Sequence, residues 1–98
     1  MLVKIVKAYR NLVAICDSEL LGKKFYEGNF QLDVKENFFN GDEATEEEVI
    51  GLLEKMSVED STFNIVGKNS VNAALKSGII SEESVGKIQG IPFALILI

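Results

Sequence analysis

The sequence contains no histidine and a single cysteine. Without imidazole there is no ordinary general base near neutral pH, and no Ser–His or Cys–His pair can form. The commonest metal ligand is missing too, and one cysteine cannot hold zinc unaided. Cys16 has no partner for a disulfide within the chain, which fits a reducing cytoplasm. Long apolar runs are also missing. The longest, Ile91 to Ile98, is eight residues, whereas a helix crossing a bilayer needs about 20. Met1 to Lys7 alternates charge and hydrophobe too early for a signal peptide. No glycine-rich phosphate loop of the dinucleotide or Walker type is present. These absences lead us to expect a cytoplasmic protein with no cofactor, no metal and no membrane partner.

What is present describes one small domain covering residues 1–98. Hydrophobic residues make up 47% and charged residues 26% of the chain, proportions ordinary for a globular fold. The net charge of −5 is uneven: Asp42, Glu43, Glu46, Glu47 and Glu48 cluster, and the other ten acids balance the ten bases. General attraction to nucleic-acid phosphates is therefore not expected. Folding could still gather Lys4, Lys7, Arg10, Lys23 and Lys24 into a local basic patch.

Leu2 to Tyr9 and Asn11 to Asp17 are rich in Val and Ile and read as an antiparallel hairpin. Phe30 to Lys35 alternates, which predicts that Phe30, Leu32 and Val34 face the core. Thr45-Glu46-Glu47-Glu48 is a capping box that starts a helix running to about Ser57. Its buried stripe is Val49, Ile50, Leu52, Leu53 and Met56. Asn69 to Lys76 reads as a second helix closed by Gly78, with Val71, Ala74 and Leu75 inward. Ser81-Glu82-Glu83 begins a short third helical turn. Ile91 to Ile98 is a last strand, apolar on both sides, which predicts cover on both faces. We expect it to be central; the alternative is an edge position that pairs with a second copy. Strands, then helices, then a strand indicate an α+β fold. The expected sheet is mixed or mainly antiparallel, of four to five strands, with two main helices and a short third.

Two polar bends stand out as candidate sites. The first is Cys16-Asp17-Ser18-Glu19-Leu20-Leu21-Gly22-Lys23-Lys24. A nearby lysine, Lys23 or Lys24, could lower the thiol pKa of Cys16, but an activated thiol needs a partner base or dipole that the sequence does not place, and the favoured reading is a small buried hydrophobe on the second strand. Asp17 and Ser18 are suited to capping the turn that Gly22 closes. The second bend, Asn64-Ile65-Val66-Gly67-Lys68-Asn69-Ser70, runs into a helix N-terminus that favours an anion. Plain helix initiation explains it without a ligand. The acidic cluster at 42–48 could hold a divalent cation, but acids in a first helical turn are stabilising by themselves. One of Phe38 and Phe39 is expected in the core and the other at the surface.

The stretch from Cys16 to Lys23 resembles the family of domain of unknown function 424, small and mainly archaeal proteins. Phe38-Phe39-Asn40-Gly41, the acidic helix start, Asn64-Ile65-Val66-Gly67 and Gly90-Ile91-Pro92 extend the likeness nearly end to end. That pattern often has a histidine just after the closing Gly-x-Pro and a polar residue two positions later. Here those positions are Phe93 and Leu95, which favours binding over catalysis. The resemblance implies an archaeal cytoplasm and an association with translation genes. The expected function is thus a non-enzymatic binding module, with RNA or a translation component as partner. Its expected face is Asp17, Lys23, Lys24, Asn64, Gly67 and Lys68, with no catalytic residue assigned. The alternatives are a small enzyme using Cys16 or Asp17, and a self-associating protein that dimerises through Ile91 to Ile98.

Overall fold

A computed structural model describes residues 1–58 and 60–98. Strand β1 (Leu2–Val6) turns back into β2 (Asn11–Cys16), antiparallel, with Val6 opposite Leu12. The expected leading hairpin is therefore present. A second hairpin follows, β3 (Lys24–Glu27) with β4 (Phe30–Asp33), which forms a separate two-stranded sheet. Next come α1 (Glu36–Phe39), β5 (Asp42–Glu43) and α2 (Glu46–Met56). The chain continues through β6 (Ser61–Val66), α3 (Lys68–Ser77), β7 (Gly86–Ile88) and β8 (Ile91–Leu97). The main sheet has the order β5-β1-β2-β6-β8-β7 and is mixed, because β2 and β6 run parallel.

The fold is α+β as expected, but the sheet has six strands and the second sheet two, not four to five in all. The strands beyond expectation have plain causes. In β6 the buried Ser61, Phe63 and Ile65 alternate with Thr62, Asn64 and Val66. The polar residues and the following Gly67 disguise that alternation as a turn. Strands β5 and β7 have two and three residues, too few to show a period. The third α-helix is α1, and Glu82–Ser84 is a single 3-10 turn.

Helix α2 begins as its sequence dictates. Glu48 donates its amide to Thr45 Oγ1 at 3.2 Å, and the Thr45 amide donates to Glu48 Oε1 at 2.9 Å. Helix α3 ends at Gly78, with φ 82°. Both helices pack on one sheet face, where Val49, Leu53, Met56, Val71, Ala73 and Ala74 meet Val13, Ile15, Phe63, Ile65 and Ala94.

The opposite face is covered at one end alone. There Leu2, Ala14, Cys16 and Val66 lie beneath Leu20, Val34 and Phe39. Phe39 is in the core and Phe38 half-buried, their rings 5.1 Å apart edge to face. Farther along, the register aligns Val6, Leu12, Thr62 and Leu97 in an open row. This corrects the expectation that the last strand is covered on both sides: Leu95 is 61% and Leu97 66% exposed. The elements that would cover them sit over the other end of the sheet. Phe30 is also corrected, being 72% exposed at the tip of the second hairpin, while Val34 beyond its base is buried. Leu32 is half-buried.

Candidate functional site

Cys16 lies beside Val66 in the parallel pair, so β2 and β6 deliver the chain to the same end of the sheet. The two bends are therefore neighbours. The Asp17 amide donates to the Val66 carbonyl at 3.0 Å, and the Gly67 amide donates to the Pro92 carbonyl at 2.8 Å. Gly67 has φ 110°, and a Cβ there would come within 2.4 Å of Asp17 Cγ. Glycine is required at this position both for its backbone conformation and for the approach of the carboxylate.

That carboxylate caps α3 from a distant part of the chain. Asn69 donates its amide to Asp17 Oδ2 at 3.0 Å. Ser70 donates its amide and its hydroxyl to Oδ1 at 2.8 and 2.7 Å. Asp17 is 4% exposed and Ser70 fully buried. Helix N-termini attract anions through free amides and the macrodipole. Here the anion is the protein's own side chain.

Cys16 is fully buried beside this joint. Burial first, and then the Asp17 charge, push its thiol up to about 11. A thiol so placed is protonated at neutral pH and a poor nucleophile. Ser18, next to Asp17, donates to Glu43 Oε1 at 2.6 Å. The Met1 amine reaches Glu43 Oε2 at 3.1 Å. These bonds hold the Glu43 carboxyl below its ordinary range, the Ser18 hydroxyl foremost.

The six expected face residues separate into groups. Asp17, Gly67 and Lys68 meet at the joint, where Lys68 is the first residue of α3 and exposed. Lys23 and Lys24 are exposed where the second hairpin begins, reached from Asp17 through the 3-10 turn Ser18–Leu20. The Lys23 amide donates to the Leu20 carbonyl at 3.0 Å. Asn64 lies apart. It is half-buried on the helix-free sheet face, between Ala14 and Leu95.

One surface was not foreseen. A cleft of about 350 Å³ lies between α3 and β7–β8, floored by Val71, Leu75, Val85 and Pro92, with Lys68, Lys87 and Glu82 in its lining. Only the short strand β7 brings Lys87 there, and nothing local in the sequence announces it. In the acidic cluster, Glu48 serves the capping box, Glu46 pairs with Lys76 and Glu43 with the chain's amine. Among the described residues, no group of three or more His, Cys, Asp or Glu side chains could hold a metal ion. No helix among them is long and apolar enough to cross a membrane.

The joint and the acidic helix start both lie within the span of a known family. A model of that family, described as "Protein of unknown function (DUF424)", matches residues 6–98. The chain belongs to this family. No curated protein matches it. Its fold is similar to a crystal structure of an uncharacterized conserved protein from Methanopyrus kandleri, with TM-score 0.78 and 20% identity. That match covers 97% of this chain and 88% of the other. At such identity the likeness concerns the fold alone.

Proposed function

We propose that this chain is a non-enzymatic binding module of the archaeal cytoplasm, with RNA or a translation component as its partner. The observation that carries the reading is what the joint leaves exposed. Cys16 is buried and protonated, and both Asp17 oxygens are engaged inside the protein. The cations exposed there are lysines 23, 24 and 68 around the bends, with Lys87 across the cleft; they outnumber the exposed acids beside them, Glu19 and Glu82. Lysines of this kind contact phosphates without reading sequence, and such binding weakens steeply with salt. The apolar cleft floor suits an unstacked base, as single-stranded RNA presents.

The test is fluorescence anisotropy with short single-stranded RNA at low and moderate salt. Weak, salt-sensitive binding that is lost in Lys23→Glu with Lys68→Glu is the expected result; unchanged binding in that double variant rejects the face. The enzyme alternative demands a reactive thiol or a free carboxylate. Alkylation of native Cys16 should proceed no faster than unfolding, and rapid modification would favour the thiol enzyme instead.

A homodimer through Ile91 to Ile98 is a second reading, and it is compatible with the first. It is favoured by the exposed leucines of β8 and by the strand's half-open outer edge.

A further inference from the structure

We infer that a second copy of this chain pairs antiparallel with the outer edge of β8, about a two-fold axis at Ile96. This rests on the homodimer reading and gives it a register. It is independent of the RNA reading.

Strand β8 is flanked unevenly. On one side it pairs with β6 from Phe93 to Leu97. On the other, β7 meets Ile91, Pro92 and Phe93 and then stops. Ser61 and Ile98 exchange both backbone hydrogen bonds, at 3.3 and 2.9 Å. That exchange fixes the alternation: Ala94, Ile96 and Ile98 turn their backbone groups toward β6. Leu95 and Leu97 turn theirs outward, and among the described residues no strand receives them.

The other exposed edges of the main sheet are protected. Strand β5 is two residues long and both are acidic; β7 is three residues long and carries Lys87. Short strands and charges are how proteins prevent unwanted strand addition. Ala94 to Leu97 has no charged side chain and no proline; Arg10 donates twice to the Ile98 carbonyl just beyond, at 2.9 and 2.8 Å. The outward groups of this stretch are a template for a further strand.

The sequence of this edge fits its own copy. Leu95-Ile96-Leu97 reads the same in both directions. Antiparallel pairing about Ile96 sets Leu95 opposite the partner's Leu97, and Leu97 opposite the partner's Leu95. The outward N–H and C=O groups of both leucines then bond mutually. The four leucine side chains meet on the helix-free face, within cross-strand contact distance. On the other face the two Ile96 side chains lie opposite each other. Gly86 already lies opposite Phe93, so the paired stretch is Leu95 to Leu97 and the partner's Ile98 turns aside from β8.

Sedimentation over a concentration series tests the pairing. The wild type should dimerise. Leu95→Lys with Leu97→Lys changes exposed positions and sets like charges opposite each other, which should weaken the dimer about tenfold or more. Leu95→Glu with Leu97→Lys sets opposite charges across this register and should restore it. Mild oxidation of Ile96→Cys should give a covalent dimer, because a non-hydrogen-bonded pair has Cα atoms about 4.5 Å apart, within disulfide reach. A monomer at every concentration overturns both the dimer and its register. A dimer indifferent to the lysine pair overturns the edge. A dimer that the opposite charges fail to restore overturns the register while leaving the homodimer reading intact.

Discussion

Removing the Asp17 carboxylate should unfasten α3 from the sheet. In Asp17→Ala, two amides and the Ser70 hydroxyl lose their acceptor. Hydrogen bonds to a charged group contribute about 1.5–3 kcal/mol each, and a buried donor left unpaired costs about 1–3 kcal/mol. The Asn69 amide can turn to water, but Ser70 is fully buried and its groups cannot. The bonds share one carboxylate and do not add in full, which places the loss near 4 kcal/mol. A domain of this size is stable by about 5–15 kcal/mol in total, so the variant should fold but melt early. Asp17→Asn keeps one acceptor oxygen and loses the charge, and should cost about half as much. Ser70→Ala removes one donor and should cost about 1 kcal/mol.

Urea unfolding followed by circular dichroism gives each value, and the double variant gives the coupling between Asp17 and Ser70. That coupling should be about 1 kcal/mol or more, as for residues in direct contact. An Asp17→Ala loss within about 0.5 kcal/mol of wild type, the range of an ordinary surface change, would refute the remote cap.

Gly67→Ala should cost about 3 kcal/mol, because the residue has φ 110° and its new methyl would strike the Asp17 carboxylate. Gly78→Ala, at φ 82° with open space around it, should cost only about 1 kcal/mol; equal losses in urea melts would contradict the clash. Glu48 titrates below its ordinary value of 4.5, chiefly because the Thr45 amide bonds its carboxylate. A depressed folded pKa means that its contribution is whole above about pH 4.5 and fades as pH falls through the lower folded value. Glu48→Gln should flatten that part of the stability–pH curve, and an unaltered acid limb would count against the capping box as its source.

Local chemistry was legible wherever one short segment decides the outcome. The Thr45–Glu48 box and the Gly78 terminator need only their own neighbours, and both formed where the sequence puts them. The β1–β2 hairpin likewise follows from adjacent runs of Val and Ile. Strand β6 was hidden because it lies between partners distant in sequence, which lets Thr62 and Asn64 occupy a sheet. Phe30 fits the alternation of its strand, yet the hairpin extends beyond what the core can cover. At the candidate site, the polar bends could be picked out one by one. They were also expected to share one face, but the bond that joins them was not foreseen: Asp17 suits its own turn, and Ser70, which it caps, is 53 positions away in the chain. Asn64 was grouped with Gly67 by sequence proximity, but a strand residue three places from the bend faces elsewhere.

The union of the bends bears on how any anionic partner is met. In sheets with parallel strands, ligands favour the carboxyl ends of those strands, where a helix N-terminus offers its amides. Among the described residues this sheet has one parallel pair, β2 with β6, and α3 starts at its end. The geometry of an anion site is thus present, but Asp17 fills it and adds a negative charge of its own. Backbone recognition of a phosphate at that spot is blocked both sterically and electrostatically. On the proposed reading, a phosphate would instead be held by the exposed ammonium groups set around the joint. Such contacts favour binding that is weak, sensitive to salt and tolerant of sequence, and they offer little of the fixed geometry that catalysis on a bound anion requires.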